Sequence, residues 1–225
     1  MFKLLTTMRY TPNGEMQESV YLWHRHLRRL HQGIDALSAR SASELDEEAV
    51  KKEIERAVEA ANGVDKPHRV SVTLDLSSLQ ATATATPLAA MPDYPVNVVL
   101  DVEPTQTDSA LLRHKSTQRD IYDASKQRNG TFDALMHNEH GYITETTIAN
   151  VFYKFKDDVI WYTPPAGDGL LPGLMRAQLL DDGFCKERSL SVSELMDALE
   201  NNAISMKASN ALRGVFDIHT HPQRQ

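Results

Sequence analysis

The chain has a single cysteine, no long apolar run and no excess of basic residues, and each absence excludes a class of protein. Cys185 cannot form a disulfide within the chain, so nothing indicates an oxidising compartment. No apolar run approaches the roughly 20 residues that span a bilayer, and the first residues lack the apolar core of a secretory signal. The formal net charge of −7 argues against binding along a nucleic-acid backbone. We therefore expect a cytoplasmic protein with neither a membrane nor a nucleic-acid partner.

Histidine is plentiful, but its pattern does not predict a metal site. His24, His26 and His31 lie on or around one predicted helix without the carboxylate of a motif such as H-E-x-x-H. His219 and His221 are expected in a C-terminal tail. The sequence therefore predicts no bound metal.

The length of 225 residues, 41% of them hydrophobic and 24% charged, suits an ordinary globular protein of one large or two small domains. The polar segment 103–110, which contains Pro104, precedes a change of pattern and predicts a domain boundary. We expect a smaller α/β domain at 1–105 and a larger domain at 106–225.

In the first half, residues 2–10 and 20–23 suggest a β-hairpin around a turn at Pro12. Apolar residues spaced by three and four predict a helix over 24–39, and a second helix is expected over 44–61 with Ser43 as its cap. Strands are predicted at 69–76 and 96–102. The ATATAT stretch at 81–86 fits either a strand or a loop.

In the second half, the pattern predicts a helix over 114–127 and strands at 132–137, 148–155 and 159–162. Another helix is expected after Gly173. This order predicts a mixed α/β (α+β) fold in which mixed sheets are covered by helices.

Four segments of the second half are informative together. They are HKSTQRDIYDA at 114–124, NEHGYITETTIANVF at 138–152, TPPAGDGLLPGLMR at 163–176 and SNALRG at 209–214. In order and spacing they resemble the class IV aminotransferase family, which includes branched-chain and D-amino-acid aminotransferases and 4-amino-4-deoxychorismate lyase. The resemblance covers 113–216, with a weaker match in the first 40 residues. It implies a two-domain D-amino-acid aminotransferase-like fold, a pyridoxal 5'-phosphate cofactor bound by the larger domain, and a homodimer.

The resemblance assigns the covalent attachment of the cofactor to Lys115. An amine that attacks a carbonyl must first shed its proton, which burial or a neighbouring positive group favours. A lysine taken by itself is more often a solvated surface residue. The surrounding motif favours the cofactor lysine instead. Glu145, 30 residues further on, matches the carboxylate that keeps the pyridine nitrogen of the cofactor protonated, so that the ring can accept electrons.

Phosphate binding requires donors and positive charge, which the start of a helix provides. Arg29 stands in HLRRL, which resembles the family's H-x-x-R-L motif, and Arg28 is the competing choice. The residues that the resemblance assigns to the phosphate are Arg29, Gly173, Leu174, Met175 and Asn210.

Substrate recognition is less explicit in the sequence. A dianionic substrate favours arginines, and the candidates are Arg9, Arg69, Arg119 and Arg213, any of which can instead hold a structural carboxylate. We predict Thr7, Arg9 and Arg213 as substrate-binding residues. The pair Thr6 and Thr7 resembles the Thr-Thr pair of the lyases. Aminotransferases more often have a glutamate-containing sequence at this place. Tyr122 is suited equally to packing and to contact with the cofactor.

The resemblance therefore implies a pyridoxal-phosphate-dependent lyase that converts 4-amino-4-deoxychorismate, a small-molecule amine, into 4-aminobenzoate and pyruvate for folate biosynthesis. A branched-chain or D-amino-acid-type aminotransferase is the alternative on the same scaffold. A non-catalytic pyridoxal-phosphate-binding protein is a third. The chain begins almost at its TTMR segment, as do lyase domains fused behind aminodeoxychorismate synthase, and this bears on how the site is closed.

Overall fold

The computed structural model describes residues 2–61, 66–90, 95–107, 110–129 and 132–221. The chain divides into two compact units. The first comprises Met1–Met91 and His114–Gln118, and the second comprises Pro92–Arg113 and Arg119–Gln225. The domain boundary predicted at 105/106 stays a prediction. Residues 95–105 pack with the second unit.

The first unit is a three-stranded antiparallel sheet with helices against one face. Its strands, in order across the sheet, are β1 (Leu4–Tyr10), β2 (His68–Leu74) and β3 (Ala81–Pro87), and its helices are α1 (Met16–Ser19), α2 (Trp23–Leu37) and α3 (Glu47–Ala60). Alternate strand residues point to opposite faces. Leu4, Thr6 and Met8 are therefore buried together under the helices. The undecided ATATAT stretch forms β3, with its alanines towards the core and its threonines outward.

Two predictions for this unit are wrong. Residues 20–23 do not form a hairpin strand, because β1 pairs with β2, Val20 makes only an isolated bridge to Tyr10, and α2 follows at once. Ser43 does not cap α3 either. Asp46 is the cap, and its Oδ1 accepts a hydrogen bond from the Ala49 N–H over 2.9 Å.

The second unit is built on an eight-stranded mixed sheet. Its strands are β4 (Val96–Leu100), β5 (Asp133–His137), β6 (Ile143–Thr146), β7 (Asn150–Phe155), β8 (Trp161–Thr163), β9 (Cys185–Glu187), β10 (Ile204–Asn210) and β11 (Gly214–His221). Its helices are α4 (Asp120–Asn129), α5 (Leu174–Asp181) and α6 (Val192–Glu200). The strand order is β10-β11-β4-β5-β6-β7-β8-β9, and β10 also pairs with β7. Six strands thus close into a ring, and β8 and β9 extend it.

The predicted class of mixed sheets covered by helices is confirmed. Strand β4 pairs in parallel with β5 and β11, whereas β5, β6 and β7 pair antiparallel. The predicted C-terminal tail is wrong, because His219 and His221 lie in β11, which is paired on both sides by β10 and β4. Phe216, Ile218 and Thr220 alternate inward along this strand and are buried.

Candidate functional site

Lys115 lies in an extended segment at the edge of β1, in the first unit. The helix predicted from residue 114 is wrong here, since α4 begins only at Asp120. The Leu5 N–H donates to the Lys115 carbonyl over 2.8 Å, and the next residue, Ser116, forms an antiparallel bridge with Leu4. Backbone groups that are committed to β1 cannot make helical hydrogen bonds, which explains why the segment is extended.

The bridge also fixes the face on which Lys115 lies. Ser116 is buried on the side of Leu4, towards the core. Because neighbouring residues in an extended chain point to opposite faces, the Lys115 side chain belongs to the other face of β1. Thr7 and Arg9 are on that face as well, Thr7 half-buried and Arg9 exposed. Three of the predicted site residues therefore share one face of this sheet.

Arg29 and Lys115 both act on a buried histidine in the first unit. His26 of α2 is 1% exposed, and its Nδ1 lies 2.6 Å from the Thr6 hydroxyl oxygen. Burial is the main cause that lowers the pKa of His26 to about 3, and the nearby positive charges of Arg29 and Lys115 lower it further. His26 is therefore neutral at physiological pH. The competing Arg28 points outward and is exposed, whereas Arg29 is half-buried.

The second unit holds the predicted carboxylate Glu145, which is only 5% exposed in β6. Its Oε1 accepts hydrogen bonds from the Tyr122 hydroxyl over 2.9 Å and from the Leu171 N–H over 2.8 Å. Its Oε2 accepts one from Asn150 Nδ2 over 3.2 Å. Burial, followed by the charge of Glu145, raises the pKa of Tyr122, so this hydroxyl keeps its proton and stays a donor.

The turn after Glu145 is held by charged groups. Arg119 donates to the Thr147 carbonyl over 2.8 Å, and its guanidinium lies 4.9 Å from the centre of the Tyr122 ring. The buried carboxylate of Asp133 accepts hydrogen bonds from the Thr147 N–H and hydroxyl, and burial raises its pKa. Of the four arginines considered for the substrate, Arg119 has this structural task.

Gly173 is the cap residue of α5, and Leu174 and Met175 are its first two helical residues. The amides at this end point outward along the helix axis and carry its partial positive charge. A side chain at Gly173 would overlap Asn150, whose amide nitrogen also bonds to Glu145 and to the Leu171 carbonyl. Only glycine fits, and one asparagine therefore couples Glu145 to the start of α5.

Asn210 organises the turn between β10 and β11. Its Oδ1 accepts hydrogen bonds from the N–H groups of Leu212 and Arg213 over 3.1 and 2.9 Å. Its Nδ2 donates to the Ile148 carbonyl over 3.2 Å. The side chain thus ties this turn to the one after Glu145. Arg213 is half-buried in the same turn.

The structure groups the predicted residues by unit. The first unit contains Thr7, Arg9, Arg29 and Lys115, and the second contains Glu145, Gly173, Leu174, Met175, Asn210 and Arg213. Sequence reasoning did not find the partners Thr6–His26, Asn150 and Leu171. Asn150 and Leu171 do lie inside the quoted motifs, but no spacing rule shows that their groups converge on one carboxylate.

The chain belongs to the family described as amino-transferase class IV, whose model matches residues 3–220. Members of this family use pyridoxal phosphate. The predicted family is thereby confirmed.

Some relatives of the chain have lyase names and others have aminotransferase names. A Schizosaccharomyces pombe protein named "Putative aminodeoxychorismate lyase" is 34% identical over 112 residues, which are 47% of this chain and 48% of that protein. The chain spans about half the length of the curated relatives it matches.

Solved structures share the fold over nearly the whole chain. A Mesorhizobium loti protein called a "Putative amino-acid aminotransferase" has a TM-score of 0.84 at 29% identity, covering 98% of this chain and all of that one. A "Putative 4-amino-4-deoxychorismate lyase" from Legionella pneumophila has a TM-score of 0.72 at 19% identity, with 97% and 82% covered. The branched-chain amino acid aminotransferase of Escherichia coli has a TM-score of 0.68 at 14% identity, with 97% and 76% covered.

Among the residues that the structure describes, no helix has the length and apolar character to cross a membrane. The same residues contain no group of three or more histidine, cysteine or acidic side chains arranged to hold a metal ion.

Proposed function

We propose that the chain is a pyridoxal-phosphate-dependent lyase that cleaves 4-amino-4-deoxychorismate into 4-aminobenzoate and pyruvate, as a step of folate biosynthesis. The observation that carries the enzyme class is Glu145. The buried Glu145 carboxylate accepts hydrogen bonds from Tyr122, Leu171 and Asn150, which hold it in one orientation, and a neighbouring cation stabilises a buried carboxylate. The protonated pyridine ring of the cofactor is such a cation.

The residues present fit pyridoxal phosphate, which when bound supplies an electron sink for a carbanion. Glu145 would keep the ring nitrogen protonated. The start of α5 after Gly173 suits a phosphate, because outward amides and the helix dipole both favour an anion. Arg29 would add a positive charge with bidentate geometry, and Asn210 would complete the phosphate site through its turn.

Lys115 would bind the cofactor covalently and act as the proton carrier of the reaction. Released by the substrate amine, its Nζ would take the proton from the amine-bearing ring carbon. The ring carbon–oxygen bond of the enolpyruvyl group would then break, and Lys115 would return a proton to the departing three-carbon unit to give pyruvate. Formation of the aromatic ring would drive the reaction. Neutral His26, hydrogen-bonded to Thr6, adds no positive charge beside Arg29 and Lys115.

Two observations support the lyase over other activities of the family. The Thr6–Thr7 pair of β1 resembles the Thr-Thr pair of the lyases, and the Schizosaccharomyces pombe relative has a lyase name. An amino-acid aminotransferase is the second candidate, favoured by the Mesorhizobium loti structure at a TM-score of 0.84. Both activities share proton removal by Lys115 and differ in the step that follows.

The enzyme is also expected to have a defined substrate class, location and assembly. We expect a small-molecule amine as substrate, with Thr7, Arg9 and Arg213 as its binding residues, and a cytoplasmic homodimer. Size-exclusion chromatography with light scattering measures the assembly directly, and a monomer at micromolar concentration would contradict the dimer.

The first experiment tests the cofactor. Protein loaded with pyridoxal phosphate should show a visible absorbance band, and borohydride should fix the cofactor on the tryptic peptide that contains Lys115. Lys115→Ala should abolish both results, whereas Lys126→Ala, an exposed lysine of α4, should leave them unchanged. A wild-type protein that fails to bind the cofactor would overturn the whole proposal.

The second experiment tests the reaction. The loaded enzyme is given 4-amino-4-deoxychorismate and pyruvate is measured, in parallel with amino donors and 2-oxo acids. Pyruvate release with equimolar 4-aminobenzoate is the expected result. Amino transfer without pyruvate release would replace the lyase by the aminotransferase and leave the cofactor assignment intact.

A further inference from the structure

The outer face of the sheet in the first unit, opposite its helices, is polar and cationic. Strand β1 contributes Leu5, Thr7 and Arg9 to this face, and β2 contributes Arg69, Ser71 and Thr73. The outward threonines of β3 extend it. Aromatic residues are absent from these positions of the three strands, so the face is suited to a polar ligand rather than to an apolar one.

Two arginines stand directly opposite each other on this face. Arg9 and Arg69 are register partners of the antiparallel pair β1–β2, and both are exposed. Like charges at such positions are unfavourable unless something lies between them to neutralise both. Within the described residues neither guanidinium has a carboxylate partner, whereas Arg40 and Arg56 of the same unit pair with glutamates at 2.6 and 2.7 Å. The arrangement is that of an anion site.

Ser71 is a second, independent sign of a ligand. Its hydroxyl oxygen is inaccessible to solvent, yet it has no hydrogen-bond partner in the described part of the chain. It lies two residues from Arg69 and directly across from Thr7. A buried hydroxyl that lacks a partner costs free energy, so a ligand oxygen that bonds to it gains affinity.

Lys115 is within reach of these groups along the same face. It lies opposite Leu5, and Arg9 is four residues further along β1, a distance of about 13 Å at the usual rise of a strand. Lysine and arginine side chains can each extend towards the middle of that interval. A small molecule attached at the lysine end can therefore contact the arginine end.

We propose that Arg9 and Arg69, together with the hydroxyls of Thr7 and Ser71, form the subsite for the carboxylates of a dicarboxylate substrate. This inference rests on the proposed function, because the substrate of the lyase has one carboxylate on its ring and one on its enolpyruvyl group. Arg69 thereby becomes a specificity-determining residue. It selects dianions over the monocarboxylate amino acids that an aminotransferase takes.

Chorismate is the probe for this subsite, because it has both carboxylates but a hydroxyl in place of the amine, so it binds without reacting. Calorimetry on the cofactor-loaded enzyme measures its Kd beside that of 4-hydroxybenzoate, which has one carboxylate. Arg9→Gln and Arg69→Gln should each raise the Kd of chorismate by about 10- to 100-fold, the size expected for a hydrogen bond to a charged group. Arg69→Lys should have an intermediate effect, and Arg56→Gln should have none.

Cofactor absorbance and unfolding midpoints show whether each variant is folded. If Arg69→Gln does not fold, Arg69→Lys replaces it in the binding measurement. The subsite is overturned if the wild type binds chorismate no more tightly than 4-hydroxybenzoate, or if the two arginine variants leave the ratio of Kd values unchanged. The pyruvate assay keeps the two proposals apart. Arginine-dependent chorismate binding without pyruvate release would contradict the lyase activity and leave the subsite intact. Pyruvate release with an unchanged KM in Arg69→Gln would contradict the subsite and leave the lyase activity intact.

Discussion

The two units surround their predicted site residues in opposite ways. In the first, Lys115 lies on an extended edge segment and Arg9 on an outward sheet face, with side chains half-buried or exposed. In the second, Glu145 is buried and held by Tyr122, Asn150 and a backbone amide. A buried carboxylate with several hydrogen-bond donors is suited to fixing a cofactor ring, whereas a lysine on an extended segment is suited to reaching a bound small molecule. The contrast therefore matches the roles proposed for Lys115 and Glu145.

The largest effect is expected where the second unit is most rigid. Glu145→Gln keeps an acceptor oxygen for Tyr122 and Leu171 but loses the charge that holds a proton on the cofactor. Removal of one preorganised electrostatic contact lowers kcat by about 100- to 1000-fold, and we expect that loss in steady-state kinetics. Glu200→Gln, an exposed glutamate at the end of α6, is the control. A variant with full kcat would show that the buried carboxylate is merely structural.

Gly173→Ala tests the coupling through Asn150. The added methyl overlaps the asparagine side chain, and such overpacking destabilises a protein by about 1 to 3 kcal/mol. We expect weaker cofactor binding as well, since the start of α5 must shift. Gly167→Ala is a matched control, because a Cβ at Gly167 meets no atom within 4 Å. Equal cofactor Kd values for the two variants in fluorescence titrations would contradict the coupling.

The stability of the first unit should depend on pH because His26 is buried. With a pKa of about 3 in the folded state and near 6.5 in the unfolded chain, His26 gains a proton only on unfolding in the interval between them. Stability is therefore lost as pH falls below 6.5, by about 2 kcal/mol at pH 5. Urea unfolding at pH 7.5 and 5 measures this in the wild type.

His26→Gln should remove most of this pH dependence, whereas His24→Gln, an exposed histidine of the same helix, should retain it. A wild type whose unfolding free energy does not change between the two pH values would show that His26 keeps an ordinary pKa. The pH dependence of stability would then not distinguish the first unit from the second.

The smallest effect is expected for Tyr122→Phe. It removes one hydrogen-bond donor to Glu145 and leaves the ring stacked under Arg119, so the cost is about 1 kcal/mol. We expect a decrease of about fivefold in kcat and little change in KM. Tyr142→Phe, on an exposed tyrosine of the same unit, is the comparison. A loss as large as that of Glu145→Gln would assign Tyr122 a direct part in the reaction.

Local patterns predicted much of the secondary structure. Apolar residues at helical spacing predicted α2, and the turn at Pro172 and Gly173 predicted α5, since each pattern reports which side of one element is buried. The predictions failed where a distant segment supplied the partner. The segment around Lys115 is extended because it bonds to β1, more than 100 residues earlier in the chain, and no local window contains that information.

The sequence by itself determined the family, the order of the motifs and the identity of the candidate residues, because these depend on residue types and spacing alone. Only the tertiary structure decided which of them share a face or a hydrogen bond. The opposition of Arg9 and Arg69 depends on the register of β1 and β2, and the confinement of Glu145 depends on three donors from separate segments. The register of two strands and the meeting of distant groups at one carboxylate follow from long-range pairing and packing. A local sequence pattern does not contain that information.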